Sequence, residues 1–267
     1  MFTGDYGFFD YKYNIPGYSG QDYGGPAQYV YLGVSAVLLV LLIIAFRRSP
    51  EQRVRRTLGW LGVFLTLFYI GKTAWESYYD ITLSGAFNTW LLPFDACSFI
   101  MPAGVLAGFS KGRVRRAAEC WIATGGVVGG IANMLFLRAL NYYPFFSFGA
   151  MYSMIWHFLM VFMGVLVLVT RRQPLRFSLV LSGFAFHLAA SAIVIPIDFI
   201  YGFDFMLYRE LGGVPFFEGV ASSLAGRGMA YLNPVLMLAL YFAAFTLIWA
   251  IAALFKNRGV SVRTGSK

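Results

Sequence analysis

Seven stretches of mostly apolar sequence, at about 28–46, 57–76, 90–109, 117–137, 151–170, 177–200 and 233–255, alternate with short polar connections. No other feature constrains the fold as much. The hydrocarbon core of a bilayer is roughly 30 Å thick, and a helix rising about 1.5 Å per residue needs about 20 apolar residues to cross it. Each stretch fits that length. The sequence therefore predicts an all-α polytopic membrane protein, a seven-transmembrane helical bundle over residues 28–255, with a tail at 1–27 and a basic tail at 256–267.

The cations give this path a direction. Arg47, Arg48, Arg53, Arg55 and Arg56 follow the first span, Lys111, Arg113, Arg115 and Arg116 the third, Arg171, Arg172 and Arg176 the fifth, and Lys256, Arg258, Arg263 and Lys267 the seventh. These connections hold 16 of the 21 lysines and arginines, and a seven-helix path puts them all on one side. Lysine and arginine mark the cytoplasmic side, so the N-terminus is expected outside and the C-terminus inside. With 59% hydrophobic residues the chain has too little polar surface for a water-soluble fold, and its net charge of +9 is spent at helix ends on topology and anionic headgroups. No nucleic-acid partner is implied. The expected location is a plasma membrane, the bacterial inner membrane.

The 1–27 tail, rich in tyrosine and glycine, lacks the positive start of a signal peptide and is expected to stay outside as a partly ordered segment without chemistry. The connection 201–232 is too apolar for an ordinary solvated loop. It is expected to fold back as short interfacial helices over the outer face. In the fourth span the run GGVVGG spaces Gly125 from Gly129 and Gly126 from Gly130 by four residues, a smooth stripe for close helix packing.

Ionisable or reactive groups in the spans are few, because a charge at mid-bilayer costs at least about 2.5 kcal/mol. They are Lys72 and Glu76 on the second helix, Asp95 and Cys97 at the start of the third, His157 on the fifth, and His187 and Asp198 on the sixth. Lys72, Cys97 and His157 fall roughly 6–9 Å below the outer boundary, and Asn133 of the fourth helix lies at similar depth. A cysteine and a histidine at matched depth suggest a nucleophile and its general base, since an imidazole can take the proton of a thiol with pKa near ~8.5. A buried cysteine also serves as a small hydrophobe. Lys72 and Glu76 can pair at i,i+4, whereas Asp95 and Cys97 point about 200° apart unless Pro93 disrupts the first turn. His187, among Phe184, Phe186 and Leu188, reads as a hydrogen-bonded core histidine. Cys97 and Cys120 fall near opposite faces and cannot form a disulfide, which needs Cα atoms within about 7 Å.

Other chemistries lack their residues. There is no nucleotide-binding loop, no H-E-x-x-H, no C-x-x-C and no G-x-S-x-G, and the seventh span has no lysine for a retinal Schiff base. Two histidines and two separated cysteines do not supply a dedicated zinc site, and no cofactor is expected.

The segments TWLLPFDACSF in the third span, SMIWHFLM in the fifth, IPIDFIYGFDFMLYREL running off the sixth and SSLAGRGMAYL before the seventh resemble the signature regions of the YwaF-like bacterial membrane proteins. That family is similar to the animal transmembrane protein 164 acyltransferase and, more distantly, to the androgen-induced-protein lipid hydrolases. The resemblance implies a site inside the bundle with Cys97 as nucleophile and His157 as base. Asp95 stands where many bacterial relatives have histidine, and Asp204 where asparagine is usual. The expected activity is acyl transfer or ester hydrolysis on membrane phospholipids, with Asp198 orienting His157 or a loop. Lys72, Asp95, Asn133, Asp204 and Arg209 are the residues expected to meet substrate, Lys72 or Arg209 through a phosphate. A non-catalytic transporter or solute-binding subunit is the alternative.

Overall fold

A computed structural model describes residues 6–11, 25–170, 175–210 and 215–264. Most of the 1–27 tail, Arg171 and Arg172 of the third basic connection, residues 211–214 of the long loop and residues 265–267 lie outside the described residues. The helices are α1 (Pro26–Phe46), α2 (Glu51–Ser84), α3 (Ile100–Phe109), α4 (Gly112–Trp121), α5 (Val127–Leu135), α6 (Phe148–Thr170), α7 (Ser178–Tyr201), α8 (Pro215–Gly226) and α9 (Asn233–Thr264). Among the described residues seven helical segments are long and apolar enough to cross a membrane, so the chain is an all-α polytopic membrane protein. Helices are the solution available to a single apolar segment in lipid, because each must satisfy its own backbone polar groups.

Two spans differ from their predicted outlines. Helix α2 runs 34 residues, well past both ends of the apolar stretch 57–76, because its flanking arginines and tyrosines are good enough helix formers to continue it into the interfaces. The fourth span is continuous but irregular: α4 passes into α5 through a π-helical turn, Ile122–Gly126, whose five residues are all buried. Such turns insert one extra residue and are found at functional sites.

Packing rests on small residues. Helix α2 meets α3 at the most extensive contact in the bundle. A Cβ added at Gly62 would lie 2.5 Å from the Val105 backbone nitrogen, and one at Gly104 would lie 2.8 Å from the Gly62 Cα. The two backbones touch, as small-residue stripes permit in membranes. Gly130 of α5 does the same against α6, where an added Cβ would stand 3.0 Å from the His157 carbonyl oxygen.

At the end of the bundle away from the basic connections, residues 6–11 are built into the structure rather than lying loosely at an interface. Tyr11 has 0% exposure, stacks on Tyr79 at 5.2 Å and donates its hydroxyl proton to Asp80 Oδ1 at 2.6 Å. The Phe148 amide donates to the Phe8 carbonyl at 2.7 Å, and the Trp75 indole to the Phe9 carbonyl at 3.2 Å. This strap joins α2 to the start of α6. Between α7 and α9 the chain turns inward so that Phe205, Met206 and Tyr208 are buried, then forms α8 and a short turn at Ala230–Leu232.

Gly62→Ala should force α2 and α3 apart and destabilise the protein by about 1–3 kcal/mol. Gly71→Ala, where an added Cβ meets nothing within 4 Å, should leave stability unchanged or raise it by up to ~1 kcal/mol. Thermal unfolding of both variants in detergent measures the contrast.

Candidate functional site

The third span does not begin as a helix. The Asn88 side chain accepts from the Trp90 amide, a short 3-10 turn follows at Thr89–Leu91, and the chain passes Pro93 before Asp95 takes an extended conformation. A second 3-10 turn, Ala96–Phe99, then leads into α3. The 200° separation of Asp95 from Cys97 therefore does not apply, since regular helix starts only at Ile100. Cys97 sits in the 3-10 turn that opens the helix, ahead of the regular turns of α3.

Cys97 and Asn133, matched in depth, are in contact. Asn133 Nδ2 donates to Cys97 Sγ at 3.3 Å and to the Gly129 carbonyl at 3.0 Å. Gly129 faces the thiol: a Cβ there would stand in van der Waals contact with the sulfur at 3.6 Å and closer, at 3.3 Å, to the Met160 methyl. The next residue, Gly130, admits the backbone of His157, so the thiol and the imidazole-bearing turn flank one turn of α5. No hydrogen bond joins Cys97 to His157 among the described residues. His157 Nδ1 instead lies 2.8 Å from the Ser153 carbonyl, with Ser153 Oγ at 3.3 Å. A carbonyl can only accept, so Nδ1 carries the proton and the neutral ring keeps its lone pair on Nε2. Asp95 is exposed, and Cys97, Asn133 and His157 are half-buried.

Lys72 pairs with Glu76, and its ammonium lies 5.5 Å from the centre of the Tyr152 ring. The Tyr143 hydroxyl also donates to Glu76, at 3.3 Å. Asp95 lies within electrostatic reach of Lys72 and of Asp198. Asp198, fully buried, accepts from the Phe205 amide at 3.1 Å and makes no hydrogen bond to His157. Of the two expected partners for this carboxylate, it is the loop that it holds.

Asp204 and Arg209 are likewise used within that loop. Asp204 Oδ1 accepts from the Arg209 amide at 2.7 Å and the Glu210 amide at 3.1 Å, across a turn in which Leu207 has a left-handed φ of 60°. The Arg209 guanidinium donates to the Gly202 carbonyl and meets Glu210 at 3.1 Å. The buried cluster of Val194, Phe205, Met206 and Tyr208 packs in turn against Leu92, Phe94, Ala96 and Phe99, the segment that carries Cys97.

His187 is a satisfied core residue. The Trp121 indole donates to its Nδ1 at 3.4 Å, its Nε2–H donates to the Tyr208 hydroxyl at 3.3 Å, Tyr208 donates to Ser191 at 2.5 Å, and Ser191 donates to the His187 carbonyl at 2.8 Å. Burial pushes the Tyr208 hydroxyl up to about 12, so it stays a donor at neutral pH. The Tyr241 ring of α9 packs against His187 at 4.2 Å, tilted by 54°, and lies within electrostatic reach of Cys97 and Asp95. Sequence reasoning passed over Tyr241 and Ser153. A hydroxyl in the apolar seventh span and a carbonyl one turn before a membrane histidine were the available signals.

A bundle that crosses the membrane seven times and sets a free thiol beside a side-chain amide in its interior defines an integral membrane protein with an intramembrane polar site. The chain belongs to the TMEM164 family, whose match runs over residues 23–253, from just before α1 into α9. Comparison with curated proteins and with solved structures finds no match.

Asp204→Ala leaves the Arg209 and Glu210 amides without their acceptor and should cost about 1–2 kcal/mol. Hydrogen exchange should speed up at residues 205–210 while the amides of α2 stay protected; unchanged exchange there would show that the carboxylate does not hold the turn.

Proposed function

We propose that the protein is a membrane-embedded acyltransferase or ester hydrolase that acts on phospholipid acyl chains through Cys97 and His157. The observation that carries the reading is a free, partly accessible thiol in the opening turn of a helix inside an apolar bundle, with the Asn133 amide on its sulfur. Membership in the TMEM164 family supports it, and the sequence segments described above favour the narrower YwaF-like bacterial branch. His157 Nε2 takes the thiol proton, and the thiolate attacks the ester carbonyl of a phospholipid. The tetrahedral intermediate collapses with the lysolipid alkoxide leaving, protonated by the imidazolium, and the acyl group remains on Cys97 as a thioester. A second lipid's hydroxyl or water, deprotonated by His157, then attacks the thioester and releases the thiolate. That no hydrogen bond joins thiol and imidazole among the described residues fits a pair that meets only around substrate. Lys72 would meet the lipid phosphate, Asp95 the polar headgroup region, and Asp198, Asp204 and Arg209 would act through the loop that packs on the nucleophile's segment.

In this reading the polar end faces outward and the basic end lies in the cytoplasm of a bacterial inner membrane. A membrane-impermeant thiol reagent applied to intact cells should modify a cysteine introduced at Gly219 and spare one at Ser110. The opposite pattern reverses the topology.

Intact-protein mass spectrometry should find an acyl adduct on Cys97 after incubation with phospholipid in nanodiscs. Cys97→Ala and His157→Ala should each remove most lipid turnover, and the double variant should lose little more than either, because groups acting as a unit are not additive. Cys120→Ala should be indistinguishable from wild type. Acylation of Cys97 by an activated ester should be slowed by His157→Ala most at neutral pH and least at alkaline pH, where hydroxide ionises the thiol unaided. Equal rates for wild type and His157→Ala across that range would sink the pair and leave a solute-binding or transport role.

A further inference from the structure

At the basic end, far along α2 from Lys72, the first three turns of that helix form a groove of about 620 Å³ lined by Pro50, Gln52, Arg53, Arg56, Thr57, Trp60 and Leu61. Arg53 and Arg56 stand one turn apart and both are exposed. Neither has a carboxylate partner among the described residues, and the nearby Glu51 is directed to Arg115 at 3.6 Å. The Arg53 guanidinium is held 5.4 Å from the centre of the Phe46 ring at the end of α1, which fixes one side of the pair. Two unpaired guanidiniums on one rim present the donors that a phosphodiester accepts in pairs.

Below the arginines the surface changes character in the direction that a lipid does. At 100° per residue, Arg53, Trp60, Phe64 and Leu67 fall within about 40° of one line along α2, with Arg56 beside them. Trp60 is 64% exposed, Phe64 46% and Leu67 63%. From Arg53 to Leu67 the stripe is roughly 21 Å long, comparable to one leaflet. The indole of Trp60 lies between the charged and apolar parts, at the level where aromatic residues meet headgroups.

We propose that this groove is a binding site for one anionic phospholipid, its phosphate between Arg53 and Arg56 and an acyl chain along Trp60, Phe64 and Leu67. Charge complementarity selects an anionic headgroup, and the continuous apolar stripe selects a lipid over a free phosphate. The site lies at the opposite end of α2 from Lys72 and does not depend on the chemistry of Cys97.

The test is native mass spectrometry of the full-length protein released from nanodiscs of phosphatidylcholine containing a minor fraction of phosphatidylglycerol. Wild type should retain one phosphatidylglycerol in clear preference to phosphatidylcholine, and Arg53→Gln/Arg56→Gln should reduce that occupancy by about tenfold or more. The charge-matched control Arg113→Gln/Arg116→Gln, on the same end of the bundle, should keep it. Trp60→Ala should weaken retention without changing headgroup preference. The proposal is overturned if wild type shows no preference, if the two arginine pairs lose occupancy equally, or if millimolar glycerol phosphate displaces the lipid.

Discussion

Hydrocarbon tolerates no unsatisfied backbone, and the third span violates helical regularity just where the thiol sits. Between Asn88 and Phe99 the chain makes two 3-10 turns joined by residues 92–95, of which Leu92 and Asp95 are extended, so several of its polar groups lack the partners a regular helix would give. They must be covered by protein. Part of the cover is α2, whose Tyr69 hydroxyl donates to the Leu91 carbonyl. The rest is the inward turn after α7, which lays Phe205 against Trp90 and Phe94 at 5.5 Å each. That turn is itself fastened by Asp198 from above and by Tyr208 from within the bundle. A chain of local satisfactions thus runs from α7 through the loop to the opening of α3. The fold depends on it because the alternative is open backbone in lipid.

The glycines act on the same problem from the opposite direction. Where Gly62 meets Gly104 and Gly130 meets His157, side chains are removed so that backbones approach, and close approach gives dispersion contact in a solvent that offers no hydrophobic drive between helices. At Gly129 an added Cβ would press on the Met160 methyl at 3.3 Å and stand in ordinary contact with the Cys97 sulfur at 3.6 Å. A packing device and the surroundings of the thiol share one turn of α5.

What was legible in the sequence follows the physics of each signal. Span number and approximate position were readable because bilayer thickness sets helix length. The ends of α2 were not, because the helix persists where hydropathy no longer requires it. Depth was readable by counting residues, and it brought Asn133 and Cys97 to one level; azimuth was not, so their contact needed coordinates. The charges of Asp204 and Arg209 were visible, but nothing in a charge says that its partner is a backbone amide five residues away. Asp198 was read as orienting either a histidine or a loop, and only geometry distinguishes them. The fixed tautomer of His157 was hidden for a similar reason, because its partner is a carbonyl that every residue possesses.

The strap at residues 8–11 bears on how the molecule is assembled. Its partners are Trp75, Tyr79 and Asp80 on α2 and Phe148 at the head of α6. The strap precedes the first span in the chain, yet its seat is complete only when α6, the fifth span, is in place. Until then Tyr11 and the carboxylate of Asp80 have no finished site to share. Assembly of the bundle thus returns to a segment that lies ahead of its first span, and any bulky group fused ahead of Tyr6 must be carried to that seat with it.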